Sequence, residues 1–444
     1  MFVGMRGKGP LVITRRRATD NSNRTAKSPA PVIPRSKRLH FDHEVLLLQG
    51  GGALGSYHAG VYEGLAEAGM MPTWVVGISI GAINSAIIAG NPPERRVERL
   101  HEFWNRVSSY APLPIPWLFD PIRPFLDRLS FLSGATLGIP GFFMPRLLSP
   151  PLFPTGSPDT LSYYDTSPLE QTLEELVDFD LLNSGQMRLS LGTTNVRTGE
   201  SKYFDTRDTR ITPRHVMASG ALPPAFAAVE IDGVQYWDGG LVSNTPITYV
   251  WDQKPLTTAL LVQVNLFPNL GEIPHDMIQV MERIKDIQYS SKQRFSTEQL
   301  REVGELRAAA RRVLTQIPPH LRDHPDVMRI SAHSDDRQWT IAFLTDTYRS
   351  RAGQWKDAEF SRATVNGRWA GGVEAIRRSL ANRAWTFPSA EIPGVRVYYL
   401  PPATPEMITK SATGNKAREK SHPSRASRRL RRKRAARSSF ARLR

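Results

Sequence analysis

The sequence predicts an α/β fold organised around a mostly parallel sheet, and three observations carry that reading. Strand and helix signals alternate from Glu44 onward, the pattern of sheets covered by helices. The runs Val45-Leu46-Leu47-Leu48 and Trp74-Val75-Val76 are short and wholly apolar, as buried strands are. Each run passes directly into a glycine-rich turn and then into a helical pattern. The 444 residues suffice for one large or two modest domains with a full core.

Past the second turn, Ala82 to Ala89 reads as a buried helix and Glu94 to Ser108 as an amphipathic one. Residues 111–158 change character: they hold eleven prolines together with Trp117, Phe119, Phe125, Phe131, Phe142, Phe143 and Phe153. That much proline forbids long regular elements, and that many aromatics forbid simple disorder. The segment reads as an insertion, either an apolar surface or lid beside a site, or an irregular loop packed on the core. Strand signals resume at Met187–Leu191, Ser201–Phe204 and Ala259–Val264, with a helix expected over Thr245–Trp251. From His275 to Ile317 the pattern is helical, and Met277, Val280, Met281, Ile284 and Ile287 form a stripe that reads as core packing. A strand over Trp339–Leu344, a helix over Lys356–Asn382 and a last strand over Val395–Leu400 complete the pass.

The chemistry concentrates in the turns. The first reads Gly50-Gly51-Gly52-Ala53-Leu54-Gly55. It lacks the Lys-Ser/Thr ending of a P-loop, and no acidic residue stands about 20 positions on to hold a dinucleotide ribose. The second reads Gly77-Ile78-Ser79-Ile80-Gly81, the pattern of a nucleophile elbow, with a lone serine exposed at the start of a helix. There the helix N-terminus favours developing negative charge, and the upstream glycine loop leaves backbone N–H groups open to an oxyanion. A third turn, Tyr236-Trp237-Asp238-Gly239-Gly240, ends a short apolar strand on an aspartate. Between them lies Ala218-Ser219-Gly220-Ala221-Leu222-Pro223-Pro224-Ala225-Phe226.

These four segments, in this order over roughly Glu44 to Leu266, resemble the patatin-like phospholipase family. The resemblance implies a three-layer α/β/α domain over residues 41–265, with a C-terminal α-rich extension over 266–408. It implies a serine acyl hydrolase that cleaves lipid carboxylic esters through a Ser-Asp dyad and an acyl-enzyme, without metal or cofactor. Ser79 takes the place of the nucleophile and Asp238 that of the proton acceptor. The N–H groups of Gly50, Gly51, Gly52 and Ala53 take that of the oxyanion hole, and Gly55, Gly77, Gly81, Gly239 and Gly240 match the remaining motif glycines. Many relatives carry Arg or Lys where this chain has Leu54, which removes a cation from that position and leaves the N–H groups intact. Other hydrophobic esters, such as hydroxyacid polyesters, suit the same chemistry.

A Ser-His-Asp triad is the rival arrangement. His215, His275, His320, His324 and His333 follow the serine, yet none stands in a glycine-bounded loop after a strand, and His58 falls in the helix behind the glycine loop. The net charge of +16 resides in the ends. Residues 1–40 carry +9 and residues 410–444 carry +13, leaving −6 between them. Both tails (1–40 and 409–444) read as disordered. Their charge suits peripheral contact with an anionic membrane; nucleic acid would use the same charge, but no aromatic interleaving accompanies it. The chain has no cysteine, and its basic N-terminus is followed by no apolar signal region, so a cytoplasmic location is expected.

Overall fold

The structure, a computed structural model, describes residues 41–108, 134, 136–146, 161–253, 258–334, 337–348, 356–388 and 394–401. The strands are β1 (His43–Leu48), β2 (Trp74–Ile78), β3 (Met144–Pro145), β4 (Tyr164–Asp165), β5 (Arg188–Asn195) and β6 (Ser201–Asp205). They continue with β7 (Val229–Ile231), β8 (Val234–Asp238), β9 (Thr258–Asn265), β10 (Gln338–Thr345) and β11 (Gly394–Tyr399). The helices are α1 (Ser56–Glu67), α2 (Ile80–Ala89), α3 (Pro93–Val107), α4 (Ser167–Leu176) and α5 (Phe179–Leu182). After them come α6 (Pro213–Gly220), α7 (Ile247–Asp252), α8 (Met277–Leu314), α9 (Pro325–His333) and α10 (Arg362–Ser379).

Among the described residues, nine strands form one sheet in the order β11-β10-β9-β1-β2-β5-β8-β7, with β6 also paired to β5. Every pairing from β11 to β5 is parallel, while β6, β7 and β8 run antiparallel. Alternate residues of a strand face opposite sides, and β1 divides its leucines and valine accordingly. Leu46 and Leu48 join a core with Ile83 and Ile87 of α2, Leu100 of α3 and Val373 and Ile376 of α10. Val45 and Leu47 join another with Ile247 and Trp251 of α7, Leu300 of α8 and Trp339. Helices therefore cover both faces, making three layers.

The extension 266–408 is rich in helix, as expected, and its two strands, β10 and β11, continue the sheet beyond β9. Both tails and most of the insertion 111–158 lie outside the described residues. Within the described part of the insertion, Phe142 and Phe143 pack with Tyr164, Phe226 and Phe360 at ring separations of 4.8 to 6.1 Å.

One expectation is reversed. The stripe on α8 is not core: Met277, Met281, Ile284 and Ile287 are exposed, while Asp286 and Ser290 of the same helix are buried. Periodicity identifies an amphipathic helix but does not say which face turns inward, and here ion pairs hold the polar face against the body.

The sheet also sets the site. Leu48 of β1 is level with Gly77 of β2, Ile78 with Gly192 of β5, and Thr193 of β5 with Asp238 of β8. The glycine loop, Ser79 and Asp238 therefore emerge at one level along one end of the sheet.

Candidate active site

Ser79 is the single residue between β2 and α2, and its backbone is left-handed, with φ 58 and ψ −126. A side-chain-bearing residue in such a conformation costs about 1–3 kcal/mol and persists only where its surroundings enforce it. Here the Ser79 N–H donates to Ser219 Oγ at 3.1 Å, and Ser219 Oγ donates onward to the Gly192 carbonyl at 2.6 Å. Behind the serine, a Cβ on Gly77 would lie 2.3 Å from the Gly81 carbonyl oxygen, so the elbow closes only with glycine there. Ser79 is partly exposed amid buried neighbours.

Asp238 ends β8 and is 2% exposed. Its N–H donates to the Ala221 carbonyl at 2.9 Å, and its own carbonyl accepts from Thr194 Oγ1 at 3.0 Å. One carboxylate oxygen accepts from the Gly240 N–H at 2.7 Å. The Ser79 side chain stands near enough to temper the effect of that burial on the carboxylate. Burial pushes the Asp238 carboxyl up to about 6, and the contacts with Ser79 and Gly240 hold it from rising further. A buried carboxylate with few donors is a stronger base than one in water.

The glycine loop lies against both. Asn244, in the turn after Gly239 and Gly240, donates from Nδ2 to the Gly50 carbonyl at 2.9 Å. A Cβ on Gly50 would stand 2.3 Å from Asn244 Oδ1 and 3.0 Å from Ser79 Cβ. Gly52 to Gly55 make one turn of 3-10 helix that leads into α1. Sequence reasoning singled out neither Asn244 nor the anchoring role of Ser219; an Asn shortly after an Asp-Gly-Gly turn is the signal that was available. One expected oxyanion donor is withdrawn: the Ala53 N–H donates to the Asp357 carbonyl at 2.7 Å, and its single proton is thereby engaged. Among the described residues, the N–H groups of Gly51 and Gly52 have no such partner.

Among the described residues no histidine is hydrogen-bonded to Ser79. His58 is fully buried on α1, its Nδ1 3.5 Å from Asn84 Nδ2, and burial pushes it down to about 3. Asn84 in turn donates to the Gly55 carbonyl and accepts from Trp104 Nε1, so His58 packs. His215 caps α6 by accepting from the Thr212 N–H at 3.1 Å. His275, His320, His324 and His333 are exposed. Among the described residues no cluster of three His, Asp or Glu side chains is placed to hold a metal ion.

The sequence profile of the patatin-like phospholipases matches residues 46–251, from β1 through α7, and so spans Ser79 and Asp238. The chain belongs to the patatin-like phospholipase family. A second profile, described as patatin phospholipase, matches residues 287–391, so the extension carries the family's mark as well. A patatin-like phospholipase is a lipid acyl hydrolase, and that is the enzyme class of this chain. Among solved structures, VipD from Legionella pneumophila is similar at 14% identity and a TM-score of 0.33, covering 77% of this chain and 69% of VipD. Human GIVD cytosolic phospholipase A2 is similar at 13% identity and a TM-score of 0.30, covering 52% of this chain and 43% of that enzyme. Likenesses this weak add nothing to the assignment. No curated protein matches the chain.

Proposed function

We propose that this lipid hydrolase works through Ser79 and Asp238 as a dyad. The observation that carries the reading is that the strand register brings Ser79, at the end of β2, level with the buried Asp238 carboxylate at the end of β8, whose pKa burial raises to about 6. At neutral pH that carboxylate is ionised yet more basic than an exposed one, which suits a general base.

In the proposed cycle Asp238 takes the Ser79 proton while Oγ attacks the ester carbonyl. The carbonyl oxygen becomes an oxyanion facing the N–H groups of Gly51 and Gly52, with the positive end of α2 beneath the serine. Collapse breaks the bond to the leaving alcohol, which takes the proton from Asp238, and leaves an acyl-Ser79 ester. Water then gives a proton to Asp238 and attacks that ester. The fatty acid leaves as the proton returns to Oγ. No histidine enters this reading: His58 is held neutral by burial, and among the described residues no histidine is hydrogen-bonded to Ser79.

The substrate is proposed to be a lipid carboxylic ester. The basic tails are proposed to hold the protein at the anionic surface of a membrane facing the cytoplasm. The central test is labelling with a fluorophosphonate probe, followed by hydrolysis of a panel of lipid esters. Ser79→Ala should abolish labelling and turnover while leaving the circular dichroism spectrum unchanged. Labelling that persists in Ser79→Ala would sink the assignment.

A further inference from the structure

The first three turns of α8 are built inside out. At 3.6 residues per turn, Met277, Val280, Met281, Ile284, Ile287 and Gln288 share one face, opposite Glu282, Asp286, Tyr289 and Ser290. A helix on a protein surface ordinarily buries the apolar face. Here Met277 is 70% exposed, with Met281, Ile284 and Ile287 also in solvent. The polar face is the one fastened down: Glu282 and Asp286 both meet Lys356, and Lys285 pairs with Asp357 at 2.8 Å. In the loop entering the helix, Leu270 and Ile273 are exposed at 91% and 81% and extend the apolar surface. A patch of this kind on a water-soluble body marks an interaction surface.

We propose that this face docks on the surface of a lipid aggregate and so presents the site to its substrate. The inference rests on the hydrolase reading above and adds the route by which substrate arrives. Position supports a lipid surface. The Tyr289 ring, on the inward face of the same helix, lies 4.7 Å from that of Phe267. Phe267 and Leu266 in turn touch the glycine loop, since a Cβ on Gly51 would stand 3.3 Å and 2.8 Å from them. The apolar stripe thus crosses the outside of the wall whose inner side borders Gly51. Charge supports it too. Within these turns Glu282 and Asp286 face Lys356, so the stripe from Met277 to Ile287 carries no charge of its own, and the exposed acids, Glu272 and Asp276, stand at its N-terminal end. Arg283 stands beside it, donating to the carbonyls of Pro268 and Asn269. An apolar stripe with a cation along its side, and its acids confined to one end, complements a phospholipid interface, with acyl chains below and phosphates above. Among the described residues no helix is long and apolar enough to cross a membrane, so the contact is one of lying on the surface.

The test uses the full-length chain, vesicles of zwitterionic phosphatidylcholine and a soluble short-chain ester. Met281→Gln/Ile284→Gln should lower co-sedimentation with the vesicles at least tenfold, with little dependence on salt. Hydrolysis of vesicle lipid should fall in parallel, while turnover of the soluble ester stays within twofold. Leu270→Gln/Ile273→Gln, placed in the loop and independent of helix formation, should act in the same direction. Wild-type protein that ignores the vesicles, or variants that bind them as well as wild type does, would overturn the proposal. So would a lipid-free dimer that the substitutions turn into a monomer, because the face would then belong to a second copy. Wild-type protein that binds vesicles but cleaves no ester would instead count against the hydrolase reading and leave the docking surface standing.

Discussion

The backbone N–H of Ala53 donates to the carbonyl of Asp357 at 2.7 Å, joining the glycine loop to the C-terminal extension. What steadies Asp357 is a symmetry in the sequence. The dipeptide Lys-Asp occurs at 285–286 and again at 356–357, and the two pair crosswise. Lys285 meets Asp357, and Lys356 meets Asp286. The extension thereby holds the loop that faces Ser79.

Breaking that cross should loosen the loop. Lys285→Asp is expected to lower kcat on a soluble ester by about tenfold with KM nearly unchanged. That loss is smaller than the 10²–10³ typical of removing an oxyanion donor outright, because the donors remain and only their support is lost. The swap Lys285→Asp/Asp357→Lys should restore most of the rate. Steady-state kinetics on the three proteins decide it, and a swap no better than the single variant would show that the pair does not position the loop.

The raised carboxyl of Asp238 fixes a pH profile. Below about pH 6 the carboxyl is protonated and cannot accept the serine proton, so kcat/KM should fall about tenfold per pH unit beneath that point. Asp238→Asn should cut the rate by at least ~10²-fold, a usual general-base contribution. His58→Ala, His215→Ala and His275→Ala should keep most activity if folded. A histidine variant that loses as much as Asp238→Asn would point to a triad.

The same carboxyl weakens the fold. Its ordinary value is 3.8 and its folded value about 6. Between these pH values the unfolded chain ionises while the folded one stays protonated, so stability declines as pH rises through the window. The loss is complete above it. Asp238→Asn should therefore raise stability at pH 8, by on the order of 3 kcal/mol, and by much less at pH 4. Denaturant melts at the two pH values measure the difference; equal gains at both would contradict the assignment.

Removing residues 1–40 and 410–444 should leave turnover of a soluble ester nearly unchanged. On anionic vesicles the same truncation should weaken binding, most at low salt, where each basic residue at the surface contributes about 1 kcal/mol. Co-sedimentation across a salt series reads this out, and indifference to truncation at every salt concentration would assign the tails another role.

Much of the site could be read from local pattern, because its parts are turns with demanding backbones. Gly77-Ile78-Ser79-Ile80-Gly81 and Asp238-Gly239-Gly240 sit where strand endings and glycines place them. The strands β10 and β11 were also visible as short apolar runs. What escaped depends on distance along the chain. Nothing near Ala53 announces that Asp357 will take its N–H, and nothing near Lys285 announces Asp357 either. The outward turn of the α8 stripe has the same cause: the residues that set it, Lys356 and Asp357, belong to another segment.

The sheet pairing has a consequence for how the enzyme is made. Thr258–Asn265 of β9 runs level with Gln338–Thr345 of β10, and β11 pairs beyond that. A chain cut at 265 would keep every motif residue and still present β9 as a bare, apolar edge, a template for aggregation. During synthesis the ribosome delivers Ser79 and Asp238 long before the strands that cover that edge and the carbonyl that tethers Ala53. Completion of the sheet and support of the glycine loop thus wait on the same late residues. A lipid-cleaving enzyme assembled this way gains the support of its glycine loop only after residues 338–399 have been made.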